Sequence, residues 1–205
     1  MSLIPAFELG LWNAWVLLLF MFLFIMRLSP LVIRLLFGSS KSQESSKRHG
    51  ARPELSEREK KLDYLSTVTL LAILFYSVFL PMKLGTSWFY VGFFVYAISM
   101  IFGFMAMIHF ALAPSDRPAT KGVYAISRHP MYLSMFLIFV GISLACVSWF
   151  FLLLAMIWII IANSGVVAEE RLCLEMYGDS YREYMNRTSR WIGIPGSRRN
   201  NINPA

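Results

Sequence analysis

Charged side chains are scarce in this 205-residue sequence. Asp, Glu, Lys and Arg make up 15% of the residues, whereas hydrophobic side chains make up 57%. Residues 133–168 contain none of these four residue types and no His. A soluble domain of this size needs more charge than that, so the composition excludes an ordinary soluble protein and indicates an integral membrane protein.

Cysteine and the usual cofactor motifs are also sparse. The chain has two Cys, and it contains neither a metal-ligand cluster nor a Gly-rich dinucleotide motif. Cys146 falls at a predicted turn and Cys173 lies beyond the opposite end of the following helix. We therefore expect no disulfide between them, because a membrane would separate the two thiols.

Five apolar runs predict the fold class, an all-α polytopic membrane protein with five transmembrane helices and a C-terminal cytoplasmic amphipathic helix. The fourth run is short for a bilayer of about 30 Å. The first is longer than a signal peptide and lacks a small-residue cleavage site, so we expect it to remain in the mature protein. The runs cover residues 11–37, 64–80, 88–110, 131–145 and 149–167, the first being interrupted by Arg27 and Arg34.

The basic residues are distributed unevenly between the two predicted faces. Of 19 Lys and Arg, seven lie in residues 38–63, three in 111–129 and six after residue 167, whereas the opposite face carries only Lys83. Positive charge marks the cytoplasmic side of membrane proteins, so we predict an external N-terminus and a cytoplasmic C-terminus. The net charge of +7 is thus an orientation signal that can also hold anionic membrane lipid, and we expect no nucleic-acid partner.

Two polar clusters flank the uncharged run. The first is the segment KGVYAISRHPMY, residues 121–132, and the second is the pair Glu169 and Glu170. A turn at residues 146–149 would fold the run into a helical hairpin. Its two arms would be roughly 26 and 32 Å long at 1.5 Å per residue, so both clusters should lie at the same membrane face. Ionisable groups gathered there are usually functional.

Local sequence patterns predict the helix caps and side-chain orientations around the two clusters. Pro130 suits the first turn of the fourth helix, which makes His129 its predicted N-cap, with free backbone N–H groups suited to an anion. Neighbouring helical residues diverge by about 100°, so at most one Glu of the pair can point into a site. After Gly178 the pattern Ser180-x-x-Glu183 predicts a capping box. Tyr181 and Tyr184, three apart, should share one face and cover a pocket.

An ordered set of motifs resembles a known family. The motifs are GVY, RHPxY, a helical hairpin, EE and an aromatic-Gly-x-x-Tyr-x-x-Tyr tail. They are similar to the integral membrane methyltransferases typified by isoprenylcysteine carboxyl methyltransferase and related to phospholipid methyltransferases. The resemblance covers residues 113–192. It implies an S-adenosyl-L-methionine-dependent methyltransferase whose methyl acceptor is lipophilic or a small molecule. By motif position it implies cofactor-binding roles for Tyr124, Arg128, His129, Pro130, Met131, Tyr132, Glu169 and Glu170.

The predicted spans and the resemblance together divide the chain into three parts. Residues 1–110 would form an N-terminal three-helix membrane region with a cytoplasmic linker at 38–63. Residues 111–192 would form the cofactor-binding hairpin and the amphipathic tail, and residues 193–205 a flexible tail. A lipophilic acceptor would slide in between helices, with the third and fourth predicted helices as the candidate route.

Several alternatives stay open. Any catalytic base could be His109, His129 or a Glu, and no metal is expected. The isoprenylcysteine branch places an Arg about one turn before the Glu pair, where this sequence has Gly165, so carboxyl oxygen, nitrogen and thiol acceptors all remain. The rival functions are an NADPH-dependent reductase similar to the sterol reductases, and a noncatalytic transporter or scaffold.

Overall fold

The protein is helical throughout the part that the computed structural model describes, which is residues 8–24, 53–114 and 116–193. Within these ranges the one β-type pairing is an isolated bridge between Asn13 and Pro81. The predicted all-α class is therefore confirmed for the described residues. The α-helices are α1 (Trp15–Leu23), α2 (Glu57–Ser77), α3 (Ser87–Leu112), α4 (Pro130–Ala145), α5 (Trp149–Tyr177) and α6 (Asp179–Arg187), with a short 3-10 helix at Gly122–Ala125.

Two of the described helices are long and apolar enough to cross a membrane, namely α3 with 26 residues and α5 with 29. Helix α4 is apolar but has 16 residues, as the sequence predicts for the fourth run. Arg27, Arg34 and most of the linker at 38–63 lie outside the described residues, as do residues 194–205 of the predicted flexible tail.

Helix α2 begins at Glu57, before the apolar run that starts at Tyr64. Ser56 and Glu59 form a capping box at its start. The Ser56 side chain accepts from the Glu59 backbone N–H, while the Glu59 carboxylate accepts from the Ser56 N–H at 2.8 Å. These reciprocal bonds satisfy two backbone donors and add about two polar turns to the apolar helix.

Helices α3 and α4 approach each other backbone to backbone. A Cβ built on Gly92 would lie 2.2 Å from the backbone nitrogen of Ala145, and one on Gly141 would lie 2.7 Å from that of Tyr96. A Cβ on Gly103 would meet the Ser134 hydroxyl at 2.7 Å. Small residues allow such contacts between membrane helices. Along these contacts the packing leaves no gap for a lipid chain between α3 and α4, and the rest of the predicted acceptor route stays a prediction.

The hairpin of α4 and α5 turns where the sequence predicts. Val147 adopts φ 54° and Ser148 caps α5 by accepting from the Phe151 N–H. Helix α5 then continues to Tyr177 and ends at Gly178, whose φ is 53°.

The capping box predicted for the next helix is wrong. Gly178 is the N-cap of α6, and Ser180 lies within the helix. The Ser180 hydroxyl donates back to the Tyr177 carbonyl at 2.8 Å. Since α6 follows α5 after a single residue, this carbonyl is within reach and competes for the hydroxyl.

Candidate functional site

The two polar clusters meet at one end of the α4–α5 hairpin, as the sequence predicts. The Tyr132 hydroxyl donates to Glu169 Oε1 at 2.7 Å, and His129 Nε2 lies 3.2 Å from Glu170 Oε1. Tyr132 is in the first turn of α4, whereas the two Glu residues are about five turns along α5. The folding of the hairpin therefore brings together residues that are about 40 positions apart.

A cavity of about 460 Å³ opens beside this meeting point. Its volume lies in the range of small-molecule sites. Seven of the eight predicted site residues line it, and Glu170 does not. The lining consists of Pro53, Phe110, Pro118, Ala119, Tyr124, Arg128, His129, Pro130, Met131, Tyr132, Glu169, Leu172, Cys173, Met176, Tyr177, Tyr181 and Tyr184.

Glu170 is the buried centre of the polar network. Its side chain is 5% exposed, and three cationic or ionisable groups surround its carboxylate. Arg128 Nη2 and His129 Nε2 each lie 3.2 Å from Oε1, and Arg190 donates to both oxygens at 3.2 and 2.7 Å. A buried carboxylate is stable only with such partners. We infer that Glu170 organises the walls of the cavity rather than facing its interior.

The chain after α6 is fastened to the loop before α4. Arg128 N–H donates to the Ser189 carbonyl at 3.1 Å, and Gly193 N–H donates to the Ile126 carbonyl at 3.0 Å. The Ser127 hydroxyl donates to the Arg190 carbonyl at 3.1 Å. These bonds hold residues 188–193 against the loop and deliver the Arg190 guanidinium to Glu170.

Glu169 differs from its neighbour because it faces the cavity. Its side chain is 42% exposed, and its Oε2 lies 3.6 Å from His129 Nδ1. Burial opposes the charged imidazolium, but the carboxylates of Glu169 and Glu170 outweigh that effect and raise the pKa of His129 above its ordinary value. His129 therefore bridges both members of the Glu pair, with one ring nitrogen toward each.

Arg128 has hydrogen-bonding capacity to spare. Its side chain is 9% exposed, and its Nη2 pairs with Glu170. Its Nε and Nη1 are buried and have no hydrogen-bond partner among the described residues. Buried donors without partners are costly, and a guanidinium is suited to binding a carboxylate or a phosphate. Since Arg128 lines the cavity, these two N–H positions favour an anionic ligand group.

Two tyrosines of α6 close one side of the cavity, as their spacing predicts. Tyr181 and Tyr184 are both buried, with ring centroids 5.7 Å apart. The Tyr184 hydroxyl donates to the Tyr124 carbonyl at 2.7 Å, which fixes α6 against the 3-10 helix. Burial raises the pKa of both phenols, so they are neutral donors at physiological pH.

Some candidates from the sequence lie elsewhere. His109 is not among the lining residues, and a Cβ built on Gly122 would lie 2.4 Å from its ring. The His109 imidazole thus packs directly against the backbone of Gly122, at the start of the 3-10 helix. Gly122 has φ 65°, a conformation that favours glycine. The sequence does not single out Arg190, because an Arg in a polar segment usually lies on a solvated surface. The one available signal was its position in the short segment after the tyrosine pair.

Part of the chain is similar to a known protein family. No curated protein gives a significant match to the chain. Residues 83–180 match the family model for phospholipid methyltransferases, a range that contains α3 to α5, the turn of the hairpin and all eight predicted site residues. Through residues 83–180, 98 of its 205 residues, the chain is similar to the phospholipid methyltransferases, which belong to the isoprenylcysteine and phospholipid methyltransferase group of membrane methyltransferases.

Proposed function

We propose that the protein is an integral membrane methyltransferase that binds S-adenosyl-L-methionine in the 460 Å³ cavity. The observation that carries this proposal is the placement of opposite charges on the wall of one cavity. The Glu169 carboxylate lies on that wall, and so does the Arg128 guanidinium, whose buried Nε and Nη1 have no hydrogen-bond partner among the described residues. Such a cavity suits a ligand that carries both charges.

The residues present fit this cofactor. The methionine part of the cofactor has a carboxylate, an ammonium group and a sulfonium. Arg128 and the backbone N–H groups at the start of α4 would hold the carboxylate, because a helix N-terminus and a guanidinium both favour anions. Glu169 would face the positive groups, and the tyrosines Tyr124, Tyr132, Tyr181 and Tyr184 offer aromatic surface for the adenosine.

The cofactor supplies a methyl group with a good leaving group, so the chain needs no nucleophile of its own. What the protein contributes is alignment and the exclusion of water. Tyr132 fixes the Glu169 carboxylate by donating to it at 2.7 Å. The buried tyrosines of α6 lie on the wall of the same cavity and would shield the ligand from water. His129 lies on the wall with one ring nitrogen toward each carboxylate, so it would hold both Glu side chains in place beside the ligand.

We infer that the chain crosses the membrane five times with its N-terminus outside and the cavity facing the cytoplasm. Support comes from the five apolar runs, from the basic residues on one predicted face and from the two described helices of spanning length. Residues 1–110 would form the membrane region and residues 111–192 the cofactor region. The acceptor would be lipophilic or small, with a carboxyl oxygen, nitrogen or thiol sulfur as the methylated atom.

Calorimetric titration of the purified protein in detergent tests the cofactor assignment. We expect binding of S-adenosyl-L-methionine, at least tenfold weaker binding in Glu169→Gln and in Arg128→Gln, and unchanged binding in Tyr64→Phe, whose side chain is largely exposed. Binding of NADPH alone would favour the reductase. Binding of neither ligand would favour the transporter or scaffold and overturn the proposal.

A methyl-transfer assay tests the enzyme assignment. The protein is incubated with isotopically labelled S-adenosyl-L-methionine and a total membrane lipid extract, and the labelled products are identified by mass spectrometry. We expect label in one lipophilic or small-molecule product class, and loss of that label in Glu169→Gln. Cofactor binding without any labelled product, including from a panel of small carboxylates, amines and thiols, would contradict catalysis.

A further inference from the structure

A second ion pair connects the start of α2 to α5 beside the cavity. Arg171 Nη1 donates to Glu59 Oε1 at 3.0 Å, and its Nη2 donates to Glu59 Oε2 at 3.1 Å. The same Nη2 donates to the Glu54 carbonyl at 2.7 Å. One guanidinium thus holds both a side chain and the backbone of the segment before α2. Bidentate geometry of this kind fixes orientation as well as distance.

Glu59 serves two structures at once. Its Oε2 accepts from the Ser56 N–H at 2.8 Å and from the Ser56 hydroxyl at 2.9 Å, which completes the capping box of α2. The hydrogen bonds from Arg171 and then from Ser56 hold the pKa of Glu59 at about 2. The carboxylate is therefore ionised throughout the physiological range and couples the capped start of α2 to α5.

The segment held in this way forms part of the cavity wall. Pro53 lines the cavity, and it lies one residue before Glu54 and three before the cap. Among the described residues it is the one lining residue that precedes residue 83, where the family match begins. Arg171 directly follows the Glu pair and directly precedes Leu172, which also lines the cavity.

We propose that Arg171 and Glu59 are positioning residues that hold residues 53–56 against the cavity and so slow the dissociation of the ligand bound there. This inference rests on the proposed function, because the ligand is taken to be S-adenosyl-L-methionine. Neither residue is among those lining the cavity, so each would act through the segment that it holds. The α2 segment would thereby serve as a wall supplied by the N-terminal region to a site built mainly from the C-terminal half.

The test is a charge-reversal cycle on the full chain in lipid nanodiscs. We would measure the dissociation rate of S-adenosyl-L-methionine, its KM in methyl transfer, and kcat at saturating cofactor. Arg171→Glu and Glu59→Arg should each raise the dissociation rate about tenfold, since a lost attraction and a new repulsion at an exposed pair each contribute a few-fold. Glu59→Arg also removes an acceptor from the capping box of α2, and the double variant does not restore it. The double variant should nevertheless release the ligand about threefold more slowly than Glu59→Arg alone, because its two exchanged charges attract each other again. The effect should appear in KM and not in kcat.

Glu57→Lys is the matched control. Glu57 lies on the same helix and pairs with Lys60 at 2.7 Å, but its side chain is 83% exposed and does not line the cavity. It changes the charge of the same helix turn as Glu59→Arg does, and it should leave the dissociation rate unchanged.

The outcomes separate the two proposals. Unchanged rates in the single variants, an equal effect in Glu57→Lys, or no recovery in the double variant would overturn the positioning role while leaving the cofactor assignment intact. Failure of the wild-type protein to bind S-adenosyl-L-methionine would overturn both.

Discussion

Glu170→Gln tests how much the buried network around Glu170 contributes to the stability of the fold, separately from ligand binding in the cavity. The substitution keeps the size of the side chain and one acceptor oxygen, but it removes the negative charge. Arg128, which is 9% exposed, would then be a buried cation without a charged partner. Arg190 is 32% exposed, so water can solvate its guanidinium more easily. His129 can respond by losing its proton. The expected cost is therefore carried mainly by Arg128.

The magnitude follows from this distribution of burial. Removing one partner of a buried ion pair costs about 3–5 kcal/mol. The low end applies here, because only one of the three partners remains both charged and buried. We expect a loss of about 3 kcal/mol in the free energy of unfolding, which corresponds to a decrease of roughly 6–12 °C in Tm for a chain of this size.

The assay compares Glu170→Gln with Glu169→Gln. Unfolding of the detergent-solubilised protein is followed by circular dichroism, and cofactor binding is measured by calorimetry below the transition. Glu169 is 42% exposed, so its substitution should cost under 1 kcal/mol of stability while weakening binding. Equal destabilisation by the two substitutions, or a stable Glu170→Gln, would refute the assignment of a structural role to one Glu and a ligand-facing role to the other.

Three further predictions concern packing, pH and a buried hydrogen bond. Gly92→Leu should prevent folding, because any Cβ there meets backbone atoms at 2.2–2.8 Å, whereas Gly165→Ala should fold normally since its Cβ meets one atom at 3.9 Å; yield and circular dichroism of the two decide this. Because the pKa of His129 is raised above its ordinary 6.5, its charged form adds stability that is complete below pH 6.5 and is lost as the pH rises through the folded value. Wild type should exceed His129→Gln in unfolding free energy by more at pH 6 than at pH 9, and an equal gap at both would contradict it. Tyr184→Phe removes the hydrogen bond that the Tyr184 hydroxyl donates to the Tyr124 carbonyl, so it should cost about 1 kcal/mol by the same unfolding measurement, and a stability equal to wild type would count against that bond.

The hairpin and its two clusters were predictable because each depends on short-range chemistry. An uncharged run, a turn and a proline at a helix start place His129 and the Glu pair at one end without knowledge of the remaining chain. The division between the two Glu residues follows from the helical period alone. The same period was insufficient to decide which of them faces the cavity, because that depends on which partners arrive from elsewhere.

The missed contacts are those made by segments distant in sequence. Arg190 and Glu59 lie in polar stretches, where a charged residue usually means a solvated surface. Their partners become identifiable only once α6 and α2 are placed against α5. The wrong capping box at Ser180 has a local cause, since a serine one residue after a helix start has the previous helix's carbonyl within reach. The glycines of α3 and α4 serve close packing, which closes the predicted acceptor route only along the contacts that they make.

The cavity also depends on two segments that lie outside the range of the family match. The matched range, residues 83–180, supplies most of the cavity wall and the Glu pair. It ends before Arg190, which makes the only fork-like contact to the Glu170 carboxylate among the described residues. It begins after Pro53, whose position depends on the Glu59–Arg171 pair. Glu170 is buried, so loss of its partner Arg190 should be costly. The segment after α6 therefore stabilises the folded site, whereas the segment before α2 affects only the rate of ligand dissociation. Substitutions in the two segments should therefore separate, the first lowering Tm and the second raising the rate of ligand dissociation.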